Sequence, residues 1–171
     1  MWREYFGDFA TIYGVDVQPA CKIYENESIK IVIGDQGDRE FWTTFKQAAP
    51  RLDVVIDDGS HVASDQIISL EELLPHLAPG GVYICEDVFR ADNEFTKFVF
   101  EGASSLNDYF QTDRSTDDIQ IFHASRWQTA IESVALYPFM AVVTNAASVA
   151  ELVCAKHGTE WQPFLDRDYR P

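Results

Sequence analysis

The chain has 171 residues, 46% of them hydrophobic and 13% aromatic, which fits one domain spanning residues 1 to 171 and argues against disorder. Twenty-eight acidic residues face 13 basic ones, and a net charge of −15 argues against a nucleic-acid or anionic-membrane partner. Cys21, Cys85 and Cys154 form no zinc or CxxC spacing, so they read as reduced thiols of a cytoplasmic protein.

The start, Met1-Trp2-Arg3-Glu4, carries no apolar signal region. The longest apolar stretch, 139–155, is broken by Thr144, Asn145, Ser148 and Glu151, so no membrane span is expected. From there the pattern is that of βα units, short apolar runs alternating with segments of helical period. Strands are expected at 10–15 (ATIYGV), ending at Asp16, and at 29–33 (IKIVI), ending at Gly34-Asp35. A helix over 39–49 carries Phe41, Trp42 and Phe45 on one face and stops at Pro50. The next strand, 52–56 (LDVVI), ends at Asp57-Asp58. A helix over 64–77 follows, and Pro79-Gly80-Gly81 turns the chain into a strand at 82–85 (VYIC), ending at Glu86-Asp87.

Such near-continuous apolar strands suit a parallel sheet covered on both faces. Beyond them, 92–110 reads as a helix and 111–118 (QTDRSTDD) as a polar surface loop. Strands at 131–136 and 139–144 flank a turn at Tyr137-Pro138, making an antiparallel hairpin. The fold class is therefore α/β, Rossmann-like and doubly wound, with a mostly parallel sheet and an antiparallel C-terminal hairpin. Trp2, Trp42, Trp127 and Trp161 read as core residues, and His76, His123 and His157 as structural or surface ones.

Each parallel strand ends in a carboxylate, and open parallel sheets bind ligands beyond the carboxyl ends of their strands. Asp16 is placed to accept hydrogen bonds from ribose hydroxyls, or to cap its own loop. Asp35 and Gln36 offer an acceptor and an amide that can hold an adenine amino group; a helix cap is the other reading of Asp35. Asp57 stands with these cofactor-facing groups. In Asp57-Asp58-Gly59-Ser60-His61, Gly59 permits a tight or left-handed turn, Ser60 can cap a helix, and His61 can face the sheet edge as a base. Asp58, Glu86 and Asp87 together form an all-oxygen set suited to Mg²⁺, which would orient and acidify an acceptor hydroxyl.

The runs YGVDVQP (13–19), GDQGD (34–38), LDVVIDDGSH (52–61) and LAPGGVYICEDV (77–88) resemble the metal-dependent sugar O-methyltransferases of the macrocin and mycinamicin type, within the class I S-adenosylmethionine-dependent methyltransferases. The resemblance covers residues 1 to 90 and continues weakly through SVALYPFMAVV. It implies that Asp16 binds the ribose of S-adenosylmethionine, with Asp35 and Gln36 near its adenine. It also implies that Asp58, Glu86 and Asp87 ligate Mg²⁺, that His61 deprotonates the acceptor, and that a small-molecule hydroxyl, of a sugar or other polar metabolite, receives the methyl group.

In that family a strand and glycine loop precede the segment matching 1–6, and here they are expected to be missing, as in an N-terminally truncated chain. The strands ending at Asp16 and Asp57 would then carry free edges that favour self-association into a homo-oligomer. The alternative function is a non-catalytic remnant or interaction module that no longer binds the cofactor.

Overall fold

The structure is a computed structural model and describes residues 2–90, 92–107, 111–114, 120–123 and 125–148. A short helix α1 (Trp2–Phe6) leads into strand β1 (Ile12–Asp16), which pairs in parallel with β2 (Ile29–Ile33). Pro19 opens a 3₁₀ turn, Pro19–Tyr24, between them. Helix α2 (Arg39–Ala48) starts where the Asp38 side chain accepts from the Glu40 amide, and its cap Ala49 lies directly before Pro50. Strand β3 (Leu52–Asp57), helix α3 (Ala63–Leu73) and strand β4 (Leu77–Cys85) form a parallel βαβ unit. Helix α4 (Glu94–Ser105) is capped by Asn93.

The strand pair β5 (Gln111–Arg114) and β6 (Gln120–His123), helix α5 (Arg126–Ala130) and the hairpin β7 (Ile131–Tyr137)–β8 (Met140–Asn145) complete the described chain. The main sheet has the order β3-β4-β8-β7, parallel at β3–β4 and antiparallel beyond. β1 and β2 form a separate pair, so among the described residues β1 and β3 each have one ladder partner.

Helices α2, α3 and α4 bury one face of these strands. Trp42, Phe45, Leu70, Leu73, Phe95 and Val99 meet Tyr83, Cys85, Ala141 and Val143 in one core. The opposite face is less covered than the strand pattern led one to expect: Val54 is 39% exposed, and Val82, Ile84 and Val142 are only half-buried. Apolar residues on both faces ask for two layers, and among the described residues only one is built to full depth.

Four expectations change. The 64–77 helix ends at Leu73 because Pro75 has no amide to donate, and the chain tightens into a 3₁₀ turn at Leu74–His76. β4 therefore begins at Leu77 and takes Pro79-Gly80-Gly81 into the strand, with a register shift opposite Leu52 and Val54. A Cβ on Gly81 would sit 2.9 Å from the Ala78 carbonyl and 3.1 Å from that of Leu52, so glycine is what permits this bulge. The polar run at 111–118 holds a strand over its first four residues, because an antiparallel ladder needs backbone groups rather than apolar side chains. Trp2 is 42% exposed rather than core, whereas Trp42 is buried and Trp127 packs on Phe98 at 5.5 Å. Residues 115–119 of the expected loop, 108–110 of the expected helix, Cys154, His157 and Trp161 lie outside the described residues.

Candidate active site at the strand carboxyl ends

β3 and β4 run in parallel with Asp57 opposite Cys85, so the two turns that follow start side by side. The Glu86 amide donates to the Asp57 carbonyl at 2.9 Å and extends the ladder by one step. Past this point the chains part. His61 and Asp87 both adopt left-handed backbone conformations, at φ 55° each, which swing their side chains back over the strand ends. His61 Nε2 lies 3.9 Å from Asp58 Oδ1 and 3.8 Å from Asp87 Oδ2. One ligand atom from each of the three falls within 4.8 Å of the others, and all three side chains are exposed.

Those separations exceed a hydrogen bond, so the three groups face one space without consuming one another. The two carboxylates facing such a space suit a hard divalent cation that retains waters, with the imidazole beside it free to take a proton. Glu86, expected as a third oxygen ligand, is half-buried and does not join this trio.

Asp57 is placed differently from its neighbours. It is 8% exposed and its carboxylate accepts from the Tyr83 hydroxyl at 2.5 Å, from Gln36 Nε2 at 3.1 and 3.3 Å, and from the Gly59 amide at 3.3 Å. Burial pushes its pKa up, and these hydrogen bonds oppose that rise. Burial, with the adjacent Asp57 charge, holds the Tyr83 hydroxyl well above its ordinary value. The Cys85 thiol is likewise pushed up, chiefly by burial, and is no nucleophile. Ser69 Oγ accepts from the same Gln36 Nε2 at 3.1 Å, so Tyr83 and Ser69 belong to this network although neither was singled out from the sequence. Their part in the network has no signature in spacing, since a tyrosine in an apolar strand looks the same with or without a buried partner.

Gln36 lies beyond β2, half-buried, with its side chain turned toward Asp57 and Ser60. Asp35 is exposed and accepts from the Gly37 amide, while Asp38 is the cap of α2. Asp16 accepts from the Gln18 amide at 2.7 Å, and that bond, with the Cys21 thiol, lowers its pKa below the ordinary 3.8. Gly59, which permits a tight or left-handed turn, does not take the left-handed form. Its missing side chain leaves room for Gln36, because a Cβ there would lie 1.8 Å from Gln36 Oε1. Ser60 does not cap α3 directly. Its hydroxyl accepts from the Val62 amide and donates to Asp65, bracing the turn two residues before the Val62 cap.

Beside the trio, a cavity of about 240 Å³ opens between the 88–90 segment, α4 and the β7–β8 turn. Its lining is mostly apolar, with Val88, Phe95, Val99 and Phe139 among its walls and Arg90 and Thr96 as its polar members. The Val88 amide donates to the Phe139 carbonyl at 2.9 Å, tying the cavity wall to the strand end that carries Asp87.

A parallel βαβ core with carboxylates gathered at its strand ends and an antiparallel hairpin beside it is a Rossmann-like α/β fold. In sequence the chain is a relative of the macrocin- and mycinamicin-type sugar O-methyltransferases. It is 37% identical over 91 residues to mycinamicin VI 2''-O-methyltransferase of Micromonospora griseorubida and, over the same length, to demethylmacrocin O-methyltransferase of Streptomyces fradiae. Each match covers 53% of this chain and 22% of the relative. A tetracenomycin-C 2'-O-methyltransferase of Streptomyces olivaceus is 34% identical over 88 residues, 52% of this chain and 23% of that one.

Among solved structures, the MycE methyltransferase of the mycinamycin pathway, in complex with Mg, SAH and mycinamycin VI, superposes with a TM-score of 0.68 at 23% identity. That match covers 85% of this chain and 38% of the other. The chain thus spans under a quarter of the length of these curated relatives. No family profile matches it. No described helix is long and apolar enough to cross a membrane.

Proposed function

We propose that the chain carries the metal and cofactor residues of an O-methyltransferase that uses S-adenosylmethionine and Mg²⁺ to methylate a hydroxyl of a sugar or another polar small metabolite. The observation that carries this reading is the convergence of Asp58, His61 and Asp87 on one open space at the carboxyl ends of β3 and β4. Asp58 and Asp87 would hold the cation, with Glu86 one residue away on the same strand end. When bound, Mg²⁺ would acidify the acceptor hydroxyl and S-adenosylmethionine would supply an electrophilic methyl group.

His61 would accept the hydroxyl proton at Nε2, the atom the structure turns toward the two carboxylates. Asp16 and Asp35 would present carboxylates to the ribose and adenine of the cofactor. Gln36 and Asp57 would form the floor of that region, their polar atoms already engaged with each other. The cavity beside Asp87 offers an apolar wall for the body of the acceptor. The net charge of −15 disfavours a nucleic acid, and the cysteine pattern fits a cytoplasmic setting. The single-ladder edges of β1 and β3 favour self-association.

The test is calorimetric titration of the chain with Mg²⁺, then with S-adenosylmethionine in its presence. Saturable Mg²⁺ binding that Asp58→Asn abolishes, with cofactor binding strengthened by the metal, is the expected result. Equal Mg²⁺ binding by the wild-type chain and by Asp58→Asn would overturn the ligand assignment.

A further inference from the structure

Gln36 makes its side-chain polar contacts across to the end of β3, the turn after it and α3. Its Nε2 donates to Asp57 Oδ1 and Oδ2 and to Ser69 Oγ, the last at 3.1 Å. Its Oε1 accepts from the Ser60 amide at 2.6 Å. Its own carbonyl accepts from the Trp42 indole at 2.8 Å, and Trp42 is 4% exposed in the core of α2. The side chain is therefore a rigid strut: one end is anchored through Trp42, and the other supplies a donor and an acceptor to a neighbouring strand end. A primary amide is the side-chain group that offers both in the geometry of a peptide bond. Gln36 thus takes the place of a backbone neighbour at the β3 terminus, where among the described residues the strand has a ladder partner on one side.

Ser60 stands between Asp58 and His61. Fixing its amide fixes the turn that sets how those two side chains face Asp87. Gly59 completes the fit, since any Cβ at that position would occupy the space of the Gln36 amide oxygen.

We propose that Gln36 is a positioning residue for the metal site: from the loop after β2 it holds the Asp58–His61 turn in its ligating shape, and Gly59 is its matched counterpart. This rests on the metal-site reading above. Groups behind metal ligands typically alter affinity by about 10- to 100-fold when removed.

The experiment uses the full chain with Gln36→Ala, Gln36→Met, Gly59→Ala and the Gln36→Ala/Gly59→Ala pair. It reads amide hydrogen exchange at Ser60, Mn²⁺ affinity by electron paramagnetic resonance, and thermal midpoint. In both Gln36 variants, Ser60 exchange should accelerate about tenfold or more while the amides within β3 keep their protection. Gln36→Met retains the chain length, so it serves if the alanine variant does not fold. Mn²⁺ binding should weaken about tenfold. Gly59→Ala should lower the thermal midpoint, and adding Gln36→Ala should recover much of that loss, because the clash is with the amide that has been removed.

Unchanged Ser60 exchange in Gln36→Met, or losses in the double variant that simply add, would overturn the proposal. A wild-type chain that binds no Mn²⁺ yet shows Gln36-dependent Ser60 exchange would overturn the metal reading and leave the strut standing.

Discussion

Tyr83→Phe removes one oxygen from the structure and nothing else. The ring is 0% exposed and stays in place, so no apolar packing is lost and no water reaches the vacated position. What disappears is the hydroxyl donor to Asp57 Oδ2, in a pocket where the carboxylate is itself 8% exposed. A hydrogen bond to a charged group contributes about 1.5–3 kcal/mol. Asp57 keeps Gln36 Nε2 and the Gly59 amide, so the expected cost sits near the middle, about 2 kcal/mol. For a chain of this length that corresponds to a drop of about 4–8 °C in the thermal midpoint.

The sign with pH follows from Asp57. Burial raises its folded pKa above 3.8, and the Tyr83 bond opposes that rise by favouring the ionised form. The penalty of Tyr83→Phe is therefore present where Asp57 is ionised and shrinks as pH falls through its folded pKa. Urea melts at neutral and acidic pH measure it. A neutral-pH loss under about 0.5 kcal/mol, or the same loss in an Asp57→Ala background where the bond no longer exists, would refute the reasoning.

Two other perturbations test the scaffold around the site. Glu72 joins α3 to α2 through Lys46 at 2.7 Å and Arg39 at 2.7 Å, and Lys46 first, then Arg39, depresses its pKa below 4.5. Its contribution is therefore present above pH 4.5 and lost as pH falls through the folded value. Glu72→Gln should cost up to about 1 kcal/mol at neutral pH and nothing in acid, which paired melts at the two pH values would show. Gly102 on α4 faces the Trp127 ring, and an added Cβ would approach it to 2.4 Å. Gly102→Val should destabilise by about 1–3 kcal/mol, and Trp127→Leu in the same chain should recover part of that; denaturant midpoints that fail to show the recovery would refute the contact.

The βα units were legible because apolar runs of four to six residues ending in acids carry both the strand and its carboxyl end in one signal. Asp57-Asp58 and Glu86-Asp87 read as a pair for that reason, and the parallel register of β3 and β4 brings them side by side. What did not show was the division of labour inside each pair. Asp57 turns inward to Tyr83 and Asp58 outward to His61, and adjacent aspartates carry no mark of which faces the core. The Gly59 signal was present, but its cause was not: backbone freedom and bare space both select glycine, and only the position of Gln36 separates them. The β5 strand was hidden because its residues are polar, leaving hydropathy nothing to register.

The placement of His61 makes one more measurable demand. A left-handed conformation costs an ordinary residue about 1–2 kcal/mol relative to the right-handed region, and glycine is free of it. His61, at φ 55°, carries that cost on an exposed turn, where few packing contacts offset it. Replacing it by alanine keeps the strain and removes the imidazole; replacing it by glycine removes both. His61→Gly should therefore be more stable than His61→Ala by about 1 kcal/mol, read from urea midpoints at equal slope. Because both variants lack the imidazole, an equal change in Mn²⁺ affinity alongside unequal stability would separate what the side chain does at the site from the cost of aiming it. If glycine is no more stable than alanine, His61 is not held in the left-handed conformation, and the route by which it reaches Asp58 and Asp87 must be different.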